Sequence, residues 1–160
     1  MADLEPMLVK RPAEGRLIGL VGDAYRFVMA GDETDGRYTL LEATVLPGGG
    51  PPPHIHRREE ETFYVLEGEI TFQIGDEKSV CGPGTFVHAP IGNLHAFKNE
   101  SNQAAKMLIT FSPSGLERMF YENGKDLRVG ESPEPTSEKE IERLLASAVK
   151  YGIEYQHGDN

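Results

Sequence analysis

Hydrophobic and polar positions alternate in short runs along the first two thirds of the chain, the two-residue period of strands with one buried face. Such runs cover residues 25–30, 38–46, 62–67, 70–74, 78–81, 85–89, 95–99 and 105–111, with turn residues between them. The segment Gly48-Gly49-Gly50-Pro51-Pro52-Pro53 is neither helix nor central strand, because proline lacks an amide donor and glycine lacks stiffness. Gly75-Asp76 reads as a hairpin turn, and Gly82-Pro83-Gly84 and Pro90 to Gly92 turn the chain again. Many short strands at regular spacing predict an all-β, antiparallel sandwich or barrel.

The period then lengthens to that of a helix. Ser114-Gly115-Leu116-Glu117 has the capping-box form, Leu116, Met119 and Phe120 make an apolar stripe, and Gly124 terminates it. Ser137 with Glu140 repeats the device before Ile141, Leu144, Leu145, Ala148 and Val149, and Gly152 ends that run. Between the two, residues 126–136 are polar and carry Pro133 and Pro135, as a linker does. Residues 1–16, with Pro6 and Pro12, read as an arm with little core of its own. The expected organisation is an N-terminal arm over 1–16, a β domain with a first C-terminal helix over 17–125, and a linker with a second helix over 126–160. The second helix is expected to pack on the outside of the β domain. The first follows the last strand directly and is placed to cover one mouth of it.

A length of 160 residues suits one well-buried core, and no period of 20–50 residues recurs. A net charge of −10 argues against nucleic acid and anionic membrane partners, which need a basic face. Cys81 is the single cysteine, so an internal disulfide and a cysteine-based zinc site are excluded, and a half-buried strand position is its expected role. No run of 18 apolar residues occurs and residues 1–16 have no apolar stretch of secretory length, so a cytoplasmic setting is expected.

The candidate chemistry lies in two blocks, Gly48-x5-His54-x-His56-x4-Glu61-x6-Gly68 and Gly84-x5-Pro90-x-Gly92-x2-His95-x3-Asn99. In a strand, His54 and His56 point to the same face, which histidines at adjacent positions would not do. Three imidazoles and a carboxylate complete a ligand set for one divalent transition metal (Fe, Ni, Mn, Co, Cu or Zn) and leave positions open for water, dioxygen or substrate. Glu60 competes with Glu61 for the oxygen ligand; alternation groups Glu61 with Phe63 and Val65, and Glu60 with Thr62 and Tyr64. His88 is expected as a support or an ordinary barrel residue, and His157 as an exposed tail residue. Phe63, Phe72, Phe86, Phe97, Met107 and Phe111 are the candidates for an apolar substrate pocket. No Lys or Arg falls inside the expected pocket by pattern, although Lys106 and Arg118 keep an anionic substrate open.

The two blocks resemble the two-part signature of the cupin superfamily. The stretches Pro51-Pro52-Pro53-His54-Ile55-His56, Phe63-Tyr64-Val65-Leu66-Glu67-Gly68-Glu69 and Ser112-Pro113-Ser114-Gly115-Leu116-Glu117 resemble small, single-domain cupins of the quercetin 2,3-dioxygenase-like group. The resemblance implies an antiparallel jelly-roll barrel with one or two C-terminal helices and the metal inside, on His54, His56, Glu61 and His95. It also implies a homodimer, to which the arm 1–16 could contribute, and a dioxygenase acting on an enol or phenolic, flavonol-like molecule. Glu61 would then serve as ligand and base, with dioxygen as the second substrate. A non-oxidative metal-dependent isomerase or decarboxylase, or a binding module without turnover, is the alternative.

Overall fold

The computed structural model describes residues 6–156, so His157 and the first five residues of the arm lie outside the described residues. Among the described residues, twelve strands form two antiparallel sheets. Along the chain they are β1 (Arg16–Leu20), β2 (Asp23–Met29), β3 (Thr39–Val45), β4 (His54–His56), β5 (Glu60–Glu67), β6 (Ile70–Ile74), β7 (Glu77–Cys81), β8 (Phe86–Ala89), β9 (Leu94–Lys98), β10 (Ala105–Ser112), β11 (Lys125–Asp126) and β12 (Ile153–Tyr155). Helix α1 (Glu117–Asn123) follows β10, and α2 (Glu138–Ala148) precedes β12. One sheet has the order β11-β1-β2-β3-β10-β5-β8 and the other β12-β4-β9-β6-β7. They face each other as a jelly-roll sandwich, with no hydrogen bonds among the described residues closing them into a continuous barrel.

Alternation decides what lies between the sheets. Leu41, Ala43 and Val45 of β3, Phe63 and Val65 of β5, and Met107 and Ile109 of β10 are buried, while their sequence neighbours turn outward. Register brings Ile109 opposite both Leu41 and Phe63, so the longest pairings put matched apolar side chains at the centre. Phe72 of β6 and Phe97 of β9 meet Phe63 from the other sheet, with ring centroids 5.0 and 5.7 Å away.

The structure departs from the sequence pattern at four places. β1 begins at Arg16, and Ile18 and Leu20 are buried; the run Leu17–Val21 is uniformly small and apolar, so it shows no alternation. β11 and β12 are short strands whose existence depends on distant partners, β1 and β4. Ser114 does not cap α1: Leu116 holds that position without a side-chain cap. Glu117, the other half of the expected box, instead accepts from Gly31 N at 3.0 Å, Thr39 Oγ1 at 2.7 Å and Gly115 N at 2.7 Å, tying the helix start to β3. At α2 the cap does form, Glu140 N donating to Ser137 Oγ at 3.2 Å. Gly152, at φ 71°, then takes the left-handed turn that feeds the chain into β12. Cys81 is half-buried at the end of an edge strand.

Candidate metal centre

β4 is only three residues long, yet it is held on both sides. His54 pairs with His95 of β9, and Tyr155 and Ile153 of β12 lie opposite His54 and His56. The glycine–proline segment feeding it is fixed at Gly50, φ 114°, where a side chain would meet the carbonyl of Phe97 at 2.1 Å. His54 and His56 therefore project together into the space between the sheets, with Ile55 turned away. Glu61 reaches the same space from β5 of the opposite sheet, next to Phe111 of β10. Glu60 turns outward, where its carboxylate meets His88 Nε2 at 2.8 Å. His88 is thus a surface residue remote from the inward set.

One ligand atom from each of His54, His56, Glu61 and His95 lies within 4.8 Å of the others, and all four residues are buried. The backbone fixes which ring nitrogens face inward. His54 Nδ1 sits 2.8 Å from Pro52 O, and His95 Nδ1 sits 3.0 Å from Asn93 O, so each donates outward and leaves Nε2 bearing a lone pair. Around the centre, His54 Nε2 lies 3.1 Å from His56 Nε2, His56 Nε2 lies 3.1 Å from Glu61 Oε2, and His95 Nε2 lies 2.8 Å from the same oxygen. Two ring nitrogens aimed at each other beside a carboxylate suit a shared cation, and the mixed nitrogen and oxygen donors fit a divalent transition ion. His56 Nδ1 has no hydrogen-bond partner, yet the buried Glu59 carboxylate stands 3.5 Å away. That is the position of a carboxylate that orients a ligating histidine from behind. Glu59 was legible in sequence only as one of three consecutive glutamates.

The electrostatics follow from this crowding. Burial holds His54 down at about 4, against its ordinary 6.5. Burial also disfavours charge on His56, but Glu59 and Glu61 outweigh it and hold that ring up at about 9. Burial alone would raise Glu61, yet His56 and His95 keep it at about 2, so it stands as a carboxylate. The carboxylate is thus ionised and two rings hold a fixed tautomer, while His56 has to release its proton as a cation binds.

The site opens into a cavity of about 290 Å³ whose floor includes His54, His56 and Glu61, with His95 behind them at 1% exposure. Of the proposed pocket aromatics, Phe97 and Phe111 line the cavity. Phe63, Phe72 and Met107 are instead core residues; Phe63 packs its ring 6.2 Å from that of His95 and supports the site from behind. Phe86 is corrected outright: it is 62% exposed, opposite Tyr64 on the outer face of the sheet. The period of a strand gives the faces but not which is inward, and β8 presents Val87 and Ala89 to the interior. Neither Lys106 nor Arg118 reaches the cavity, which no Lys or Arg lines.

The cavity's cover differs from expectation. Leu116, Met119 and Phe120 of the α1 region close one part, as the chain order suggested. Ile141, Leu144 and Leu145 of α2 close another, so the second helix covers the mouth rather than merely packing outside, and β12 adds Ile153 and Tyr155.

Residues 41–111 match the cupin domain family. The chain is 31% identical over 102 residues to the quercetin 2,3-dioxygenase of Bacillus subtilis (strain 168), covering 63% of this chain and 30% of that protein. Among solved structures it is similar to a recombinant oxalate oxidase in complex with glycolate, with 27% identity and a TM-score of 0.51 over 59% of this chain and 53% of that one. It shares a fold with a predicted oxalate decarboxylase from Thermotoga maritima, at 18% identity and a TM-score of 0.59 over 67% of this chain and 99% of that one. The chain spans about a third of the length of the first curated relatives it matches.

Proposed function

From its place in the cupin superfamily, carried by residues 41–111, we propose that this chain is a metal-dependent dioxygenase acting on an enol or phenolic, flavonol-like small molecule. The observation that carries the reading is the set of three imidazoles and one carboxylate at the floor of an apolar cavity without Lys or Arg. A sugar phosphate would need Lys or Arg beside its charge in addition to the metal, whereas an aromatic enol needs only apolar walls and one polar end.

A divalent ion held by His54, His56, Glu61 and His95 would act as a Lewis acid that lowers the pKa of a hydroxyl brought to it. The protein's part is to bind, orient and exclude water. Phe97, Phe111 and Phe120 provide walls for a ring, and the α1 and α2 cover keeps bulk water out. Glu61 would serve both as ligand and as the base that takes the substrate's hydroxyl proton. Dioxygen is the oxidant and both of its atoms enter the product. The protein is taken to work as a homodimer; the outward pair of Tyr64 and Phe86 gives it an apolar face to bury. Among the described residues no helix is long and apolar enough to cross a membrane.

The test is metal analysis of protein expressed with added iron, nickel or manganese, paired with oxygen uptake on a panel of flavonols. About one ion per chain and uptake that depends on it are expected. Metal-loaded protein that consumes no oxygen with any enol or catechol would overturn the dioxygenase in favour of a non-oxidative cupin.

A further inference from the structure

The cavity contains polar groups that the metal set leaves unused. Tyr25 of β2 and Tyr155 of β12 both line it, and neither hydroxyl is one of the buried side-chain atoms left without a partner. Tyr155 stands opposite His54 in the β12–β4 pairing, with its ring 5.6 Å from the imidazole. It thus borders the metal set although its strand lies outside residues 41–111, the part of the chain that matches the family. Tyr25 is 7% exposed, and its ring packs edge-on against Phe120 at 4.9 Å, which fixes its direction.

A phenol ordinarily keeps its proton at neutral pH. Two neutral donors therefore border a largely apolar chamber. A phenol that faces a cavity gives its hydrogen bond to water, or to a ligand oxygen that takes the water's place.

We infer that Tyr25 and Tyr155 are the substrate-orienting hydroxyls of this site, donating to oxygens of an aromatic enol or catechol whose ring lies between the apolar walls. The inference rests on the metal-centre reading above and adds the groups that select and align the substrate. It assigns the C-terminal strand a direct part in recognition, as the carrier of Tyr155.

The test uses the full chain loaded with cobalt(II) under argon, so that no turnover is needed and the metal reports through its visible spectrum. 4-Nitrocatechol is the substrate-like probe, and azide is a ligand too small to need the tyrosines. Tyr155→Phe and Tyr25→Phe are each expected to weaken 4-nitrocatechol binding about five- to tenfold, the loss of one neutral hydrogen bond, with azide affinity, cobalt spectrum and melting temperature unchanged. Wild-type affinity for 4-nitrocatechol in both variants overturns the inference, as does a parallel loss of azide binding, which would mark a packing role. Cobalt-loaded wild-type chain that binds azide but not 4-nitrocatechol overturns the substrate class. A chain that takes up no cobalt fails the metal-centre reading itself, and the inference with it.

Discussion

The floor and the roof of the cavity are built on opposite principles. The floor is polar, buried and over-determined: each of its strands is hydrogen-bonded on two sides, and the outward nitrogens of His54 and His95 are fixed by backbone carbonyls two residues earlier. The roof is apolar and lightly held. Ile141 and Leu145 line the cavity from within while remaining 41% and 38% exposed, and the preceding residues 127–137 form no helix or strand. A metal centre needs ligands placed to a fraction of an ångström, while a cover over a substrate must let molecules pass. The difference assigns the candidate metal centre to the two sheets and the cover of the cavity to the C-terminal helices.

Removing a floor ligand should give the largest effect. His95→Ala deletes the deepest nitrogen of the set and leaves Glu61 without one of its two imidazole partners. Metal affinity should fall by more than about a hundredfold, since such losses already attend removal of mere supporting groups; equilibrium dialysis against zinc measures it. Full retention of metal by this variant would break the distinction. The roof counterpart is Leu144→Ala, a half-buried apolar truncation expected to cost about 1–2 kcal/mol by urea unfolding, below the range for fully buried leucines. Its metal content should match wild type, and metal loss there would show that floor and roof are one unit.

This division also explains what the sequence could reveal. The floor was legible because its geometry is local: two histidines one residue apart in a strand share a face, and Ile70–Ile74 is bounded by glycines that end it where the pattern ends. Glu61 was separable from Glu60 by the same alternation. The roof was legible only in part: chain order placed α1 over the mouth, but not α2, and β12 consists of three residues whose strand character comes from pairing with β4 about a hundred positions earlier. Phe86 failed for a related reason. Its face is set by the register against β5, where it meets the outward Tyr64, and no period within four residues of β8 encodes that.

Asp23 sits at the seam between floor and roof and gives the smallest and most specific test. Its carboxylate is 1% exposed, borders the cavity, and accepts from Leu46 N at 2.9 Å and Gly50 N at 3.0 Å. Burial nevertheless prevails over these two bonds and raises its pKa from 3.8 to about 6. The folded chain therefore binds this proton more tightly than the unfolded chain. The resulting stabilisation is fully present below the unfolded pKa near 3.8 and is lost as pH rises through about 6. Between pH 7 and pH 5 wild type should thus gain about 1 kcal/mol relative to Asp23→Asn, which has no proton to bind. Urea unfolding of both chains at the two pH values reads that difference directly, and the histidines, common to both, cancel. A gap that stays constant would mean that the seam is wet enough to solvate the carboxylate. The chamber above the metal set would then be less sealed than its apolar lining implies.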